Sequence, residues 1–434
     1  MKKRTQFDFI AYMTPPPENP RGDGRNDKSL ECQTDEHYEN IVKCGFNGTS
    51  AIYEYDEAEY EKALSLCDKY ALTMLVRDQK GLEQYVVKEL CVTGETAEEW
   101  LKKNAFAVKE RLDKYARHPS FAGILAADEP HSGKYPQLKV LQDWFEENYP
   151  GKEFEVNLLP DYACAEQLFN DKNANEPYEK YLDDFVEIVN PEYLSYDHYA
   201  LIKERETGKE YLRPSYLKNL ECFAKVAKRT GKAFKVFLLT LGHWDFRTVS
   251  TYEDIAWQVY TSMAYGASGA QTFTYWTTLE FEPYNNKANV TTALVGQKGE
   301  LLPAWYAMQE TIAEVRSFER AYFNYQWDKC VYFLQGIENQ MTKPLDKNED
   351  EHLTKAKTSA DVIVGCFTNE TGKAYLVSNI TDPKDKITAE TKLVFDKDYD
   401  IILWKDGKKI ETKTKNKQLC LHIRSGSGAF IELQ

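Results

Sequence analysis

The chain has 434 residues, 42% hydrophobic and 13% aromatic, enough for one large core and a smaller second domain, which excludes a disordered chain. Lys+Arg 55 against Asp+Glu 69 gives a net charge of −14 with no basic run, so a nucleic acid would be repelled and is not an expected partner. The 29 Tyr, 21 Phe and 8 Trp suit stacking on sugar rings, although composition alone admits other ligands.

The start, Met1-Lys-Lys-Arg, mimics a basic leader, but Asp8 and the short apolar run Phe9 to Met13 leave no proper hydrophobic region, and Phe7–Thr14 reads as a first strand. No window approaches ~18 uninterrupted apolar residues, so no membrane span is expected. A cytoplasmic location follows, or a periplasmic or secreted one if a leader has been removed. A helix over Glu36–Lys43 stops at Gly45, and strands follow at Asn47–Tyr55 and Leu72–Arg77. Thr96 and Glu99 form a capping box before a helix running toward Arg117, and the strand Phe121–Ala127 comes next. Further strands are predicted at Glu153–Leu159, Tyr193–His198, Ala233–Thr240 and Ala270–Trp276. Helices fall near Leu138–Glu147, Tyr178–Val189 and Tyr216–Lys228, with another capped by Ser250 and Glu253 that runs to Met263. Eight strands, each followed by a helix, predict an α/β fold of the (β/α)8 TIM-barrel type over residues 1–325, closed by the helix Trp305–Phe323.

Beyond Trp327 the texture changes to short alternating runs at Val331–Leu334, Val362–Phe367, Ala374–Ser378, Lys392–Phe395, Ile401–Trp404 and Leu419–Ile423, which predict an antiparallel β-sandwich over residues 326–434. Asp406-Gly407 is the clearest hairpin turn, joining Ile401–Trp404 to Lys409–Thr412. Met341–Thr358, charged and aperiodic, is expected to be a mobile excursion. The nine cysteines, an odd number without a Cys-x-x-Cys pair, read as reduced core thiols.

Phe121-Ala-Gly-Ile-Leu-Ala-Ala-Asp-Glu-Pro130 carries the strongest functional signal: an apolar strand that delivers Asp128 and Glu129 at its C-terminal tip, where a barrel presents groups to substrate. Tyr275-Trp276 ends the eighth strand in the same way. These motifs and the terminal sandwich resemble the clan A glycoside hydrolases, particularly the β-galactosidase-like and cellulase-like branches, over about three quarters of the chain by architecture. The resemblance implies that Glu129 is a general acid/base, that Asp128 stands where the clan has an Asn holding the sugar's 2-hydroxyl, and that Tyr275 and Trp276 form an aromatic floor. One departure stands out. The clan's nucleophilic Glu belongs at the tip of the seventh strand, and Lys235-Val-Phe-Leu-Leu-Thr-Leu-Gly-His-Trp244 holds no carboxylate before Asp245.

Glycoside cleavage needs a second carboxylate, so another tip must supply it. Asp197, in Ser195-Tyr-Asp-His-Tyr199, is the first candidate, placed to face Glu129 across a substrate; Glu280 and Glu282 are the second. His198, Tyr199, His243 and Trp244 are expected to line the site, with wall or core roles as the alternative. Arg77-Asp78 reads equally as an ion pair or as a fork for sugar hydroxyls. The first strand lacks the His-x-His common in metal-dependent barrels, so no metal is expected, and no glycine-rich phosphate loop appears, so neither is a cofactor. The reading is a glycosidase that acts on an oligo- or polysaccharide. A carbohydrate-binding barrel without catalysis and a metal-dependent hydrolase remain as alternatives. The sugar, the linkage and the oligomeric state are left open.

Overall fold

A computed structural model describes residues 4–17, 31–50, 55–78, 81–86, 94–277, 290–333, 343–344 and 350–434. Eight parallel strands close into a barrel: Asp8–Tyr12, Gly48–Ser50, Thr73–Arg77, Phe121–Asp128, Glu153–Leu158, Tyr193–Asp197, Ala233–Leu239 and Gly269–Phe273. The first and eighth pair in register from Asp8 with Gly269, which completes the ring. The strands are largely buried on both faces, wrapped outside by helices whose apolar stripes the sequence already displays.

Local signals set most helix ends. Thr34 caps Asp35–Cys44, which Gly45 terminates in the left-handed region. Thr96 and Glu99 close the expected capping box before Ala97–Tyr115. The helix Tyr252–Ala264 starts one residue later than expected. Thr251, not Ser250, accepts from the third backbone amide, and Asp254, not Glu253, reaches back. Both pairs fit the capping pattern, and the chain path selected the second.

After the helix Pro303–Tyr322 the chain builds two facing sheets. Seven strands carry the order Lys343–Pro344, Gln326–Phe333, Val362–Thr368, Lys373–Asn379, Gly428–Leu433, Asp400–Lys405 and Lys408–Lys413; three more run Leu353–Thr358, Ala389–Phe395 and Gln418–Ile423. Asp406 and Gly407, both at positive φ, form the expected hairpin turn. The expected excursion over Met341–Thr358 is overturned at its end: Leu353–Thr358 is an edge strand against Ala389–Phe395. Its exposed Lys355 and Lys357 gave it a loop-like texture, and outward lysines are usual on an edge. Gly428–Leu433 was not anticipated either, since buried on both faces it shows no alternation.

The large sheet sorts its side chains by period two. Val362, Val364, Cys366, Tyr375, Val377 and Ile431 face the small sheet, while Ile363, Phe367, Leu376 and Phe430 join the barrel's core. Phe318 stacks on Phe430 with centroids 5.6 Å apart. At Gly365 any Cβ would lie 2.1 Å from the Ala264 carbonyl oxygen, so glycine lets the sheet touch the end of the barrel helix. Arg247, in the loop after the seventh barrel strand, grips Asp382 of the sandwich with two bonds, 2.5 and 2.7 Å, and donates to the Ile202 carbonyl at 3.0 Å. All eight described cysteines are free thiols. No described helix is long and apolar enough to cross a membrane.

Candidate active site

Two non-glycine residues directly after barrel strands take left-handed φ, Met13 (59°) and Glu129 (48°), and Trp244 (47°) does so in the loop after the seventh strand. Such a residue is disfavoured by roughly 1 kcal/mol or more and persists where the surroundings over-determine it. At Glu129 the cause is visible. Its N–H still donates to the Asn157 carbonyl at 2.9 Å, so the fourth strand stays tied to the fifth while the chain turns away. A register shift between Leu125 and Ala127 against the fifth strand re-aims the same tip. Tyr181 donates to the Pro130 carbonyl at 2.7 Å and pins the loop beyond it.

Asp128 and Glu129 both keep solvent contact at the mouth, and Asp197, at the tip of the sixth strand, is buried with 8% exposure. One side chain joins two of the three. Asn157 Nδ2 donates to Asp128 Oδ1 at 3.1 Å and to Asp197 Oδ1 at 2.9 Å. The Glu129 and Asp197 carboxyls are themselves in hydrogen-bonding contact. Burial, then the charge on Asp128, raises Glu129 from 4.5 to about 7, with the Asp197 contact pulling the other way. Burial, then Glu129 and Asp128, pushes Asp197 well above the ordinary carboxylate range. Burial also raises Asp128, opposed by Asn157 and Arg77. Glu129 and Asp197 therefore titrate as one coupled pair.

Flanking carboxyls stand about 5 Å or more apart when a sugar lies between them; Glu129 and Asp197 are near enough for each to act on the other's proton affinity.

The other expected residues divide. Tyr199 stands beside the pair, its hydroxyl pushed up by burial and then by Asp197 and Glu129. Arg77 and Asp78 do not pair with each other: Arg77 Nε lies 2.7 and 2.8 Å from the two Glu83 oxygens, and Asp78 accepts from Arg111 Nε at 2.8 Å and from the Leu82 amide at 3.1 Å. Arg77 nonetheless bears on Asp128, whereas Asp78, 3% exposed, is a structural anchor. His198 bonds Asn219 through Nδ1 at 2.9 Å, and burial lowers it to about 3, so it is a neutral wall residue. His243 packs among Tyr199, Phe246 and Phe273 with Nδ1 on the Leu241 carbonyl.

Tyr275 and Trp276 are not an aromatic floor. They are 1% and 0% exposed, packed edge-on to Phe46 and His37, because the eighth strand ends at Phe273 and the next residues turn into the core. Trp244, 37% exposed, lies beside the Arg205 guanidinium. Glu280 and Glu282 lie outside the described residues.

Four contributors escaped sequence reasoning. Asn157 had a signal: Glu153-Phe-Glu-Val-Asn157 alternates polar residues inside a strand that a parallel barrel should fill with apolar ones. Glu83, the partner of Arg77, had none. Tyr162 lies close enough to Asp197 and Glu129 for their charge to raise its hydroxyl, after burial, and its half-exposed ring carries the Arg213 guanidinium at 3.9 Å. Arg213 in turn donates Nε to the Tyr199 carbonyl at 3.3 Å. Among the described residues no group of three His, Cys, Asp or Glu side chains is arranged to hold a metal ion.

No family model matches the chain, and no curated protein matches its sequence. Among solved structures it is similar to a β-galactosidase from Marinomonas ef1, at 9% identity and TM-score 0.49 over 72% of this chain and 60% of that one. It is similar also to a β-galactosidase from Halorubrum lacusprofundi, at 9% and 0.46 over 71% and 58%, and to xylanase 10B from Thermotoga maritima, at 13% and 0.42 over 71% and 95%. The chain thus covers less than two thirds of either β-galactosidase. Identities this low speak to architecture alone, and the barrel assignment rests on the closed strand order itself.

Proposed function

We propose that this protein is a glycoside hydrolase in which Glu129 protonates the departing glycosidic oxygen. The observation that carries the reading is the gathering of Glu129, Asp128 and Asp197 at the C-terminal mouth of a barrel, the last two joined through Asn157, and burial there raises Glu129 toward neutrality. A donor with a pKa of about 7 is protonated in half of the molecules at pH 7, where an ordinary glutamate would be protonated in about 0.3%. Asp197, buried beside Glu129 and itself held well above the ordinary carboxylate range, is suited to stay protonated next to the acid, which fits it better than attack on a sugar. Asp128 reaches the mouth, and although burial raises its pKa, Asn157 and Arg77 favour its charged form. It is the carboxylate best placed to stabilise positive charge at the anomeric carbon or to activate water. The half-exposed ring of Tyr162 offers an apolar face beside them.

Glu129→Gln tests the assignment. Release of reducing ends from an oligosaccharide panel should fall by about 10²–10⁴-fold while calorimetric affinity stays within a few fold. A variant that turns over at the wild-type rate removes Glu129 from the chemistry. The seventh strand, which runs from Ala233 to Leu239 without an acid, favours a second reading as a carbohydrate-binding barrel. On that reading wild-type protein releases no reducing ends even though a sugar raises its Tm.

A further inference from the structure

A line of buried polar side chains runs through the barrel from its base to the mouth, and donor–acceptor logic gives it one direction. Lys235, 1% exposed, donates to Glu153 and Glu155. An ammonium only donates and a carboxylate only accepts, so the group that meets Glu155 next must be a donor. That group is Gln271 Nε2, 2.8 Å from Glu155 Oε1, and it also donates to Ser195 Oγ at 3.3 Å. Flipping this amide would set its carbonyl against the Glu155 carboxylate, so the orientation is fixed even though Oε1 then stays buried without a partner. With Ser195 Oγ already accepting, its own proton goes to Asn157 Oδ1 at 3.1 Å. The Asn157 amide is thereby held with both N–H bonds directed at Asp128 and Asp197.

We propose that Asn157 is a positioning residue for the carboxyl pair, held one way round by this Lys235–Glu155–Gln271–Ser195 chain. Asp128 and Asp197 must each keep Oδ1 as an acceptor. The proton shared by Asp197 and Glu129 is therefore confined to the edge where those two meet, away from Asn157. The groups facing the pair are Asp128, with Arg77 beside it, from the fourth and third strands, Tyr162 after the fifth, Tyr199 after the sixth, and Tyr181 from the helix Tyr178–Ile188. Of these only Asp128 touches the Asn157 amide, at its N–H end, and the carbonyl end is held by Ser195.

The inference rests on reading these carboxyls as the reaction centre, and the test separates the two. Ser195→Ala removes the hydroxyl that orients Asn157, Ser195→Thr retains it, and Gln271→Met cuts the chain one residue earlier. The carboxyls are titrated in the unliganded protein by NMR, and kcat and KM are followed against pH. Asn157 favours the charged forms of Asp128 and Asp197. Loosening it should raise the upper apparent pKa of the pair by about half a unit, a ~3-fold change in proton affinity, in both Ser195→Ala and Gln271→Met, with recovery in Ser195→Thr. If the protein is active, kcat should drop about tenfold with KM within about twofold. A titration unchanged in both disrupting variants overturns the proposal whatever the activity. A shifted titration in a protein that hydrolyses no glycoside upholds the positioning role and ends the hydrolase reading.

Discussion

Asp128→Asn provides the sharpest check on how Glu129 acquires its proton affinity. After burial, the charge on Asp128 is the next cause that lifts Glu129 from 4.5 to about 7. The substitution removes that charge and keeps the shape, and an amide oxygen can still accept from Asn157 Nδ2. Removing a like charge favours ionisation, so the Glu129 pKa must fall. A drop of about one unit, from about 7 to about 6, cuts the protonated fraction at pH 8 from about 9% to about 1% and leaves it above about 90% at pH 5. If Glu129 acts as the acid, the basic limb of kcat/KM moves to lower pH by about one unit. The relative rate falls about tenfold at pH 8, after normalisation to each enzyme's own plateau. Normalising matters because Asp128 contributes to the plateau as well. The measurement is the full pH profile on one oligosaccharide, with carboxyl titration of the free protein beside it. A limb that stays in place or moves toward higher pH refutes the reasoning.

Asp197 has a raised folded pKa, so the stability it contributes is fully present below its unfolded value of 3.8 and is lost as the pH rises through the folded one. Asp197→Asn should therefore raise Tm, and the gain should grow from pH 4 to pH 8; a gain that is flat or shrinks over that range contradicts the burial argument. Asp382→Asn removes the carboxylate that Arg247, 5% exposed, grips with two bonds and leaves it only Glu210 at 4.0 Å, at a cost of about 3–5 kcal/mol. We infer that residues 1–325 and 326–434 unfold together, because both faces of the seven-stranded sheet are buried. Over the whole chain that cost lowers Tm by about 3–6 °C, whereas a sandwich of about 110 residues melting alone would lose about 13–22 °C. Calorimetry distinguishes these, and two resolved transitions would defeat the joint-unfolding inference.

The alternation of eight strands and helices was legible in the sequence because caps, turn residues and apolar periodicity are local properties that each segment carries by itself. Thr96 with Glu99, Gly45 and Asp406-Gly407 act where their letters stand. Glu129 was legible for the same reason, as an acid ending an apolar strand. What the letters do not contain is which side chains barrel closure brings together. Asn157 reaches Asp197 across 40 residues, and Gln271 reaches Glu155 across 116. Nothing local tells Arg77 to choose Glu83 over Asp78, or turns Trp276 into the core instead of the mouth. Strand tilt and stagger around the closed ring set those directions. The burial that raises Glu129 into the neutral range is thus a product of tertiary structure, built on an acid that the sequence alone had placed at the rim.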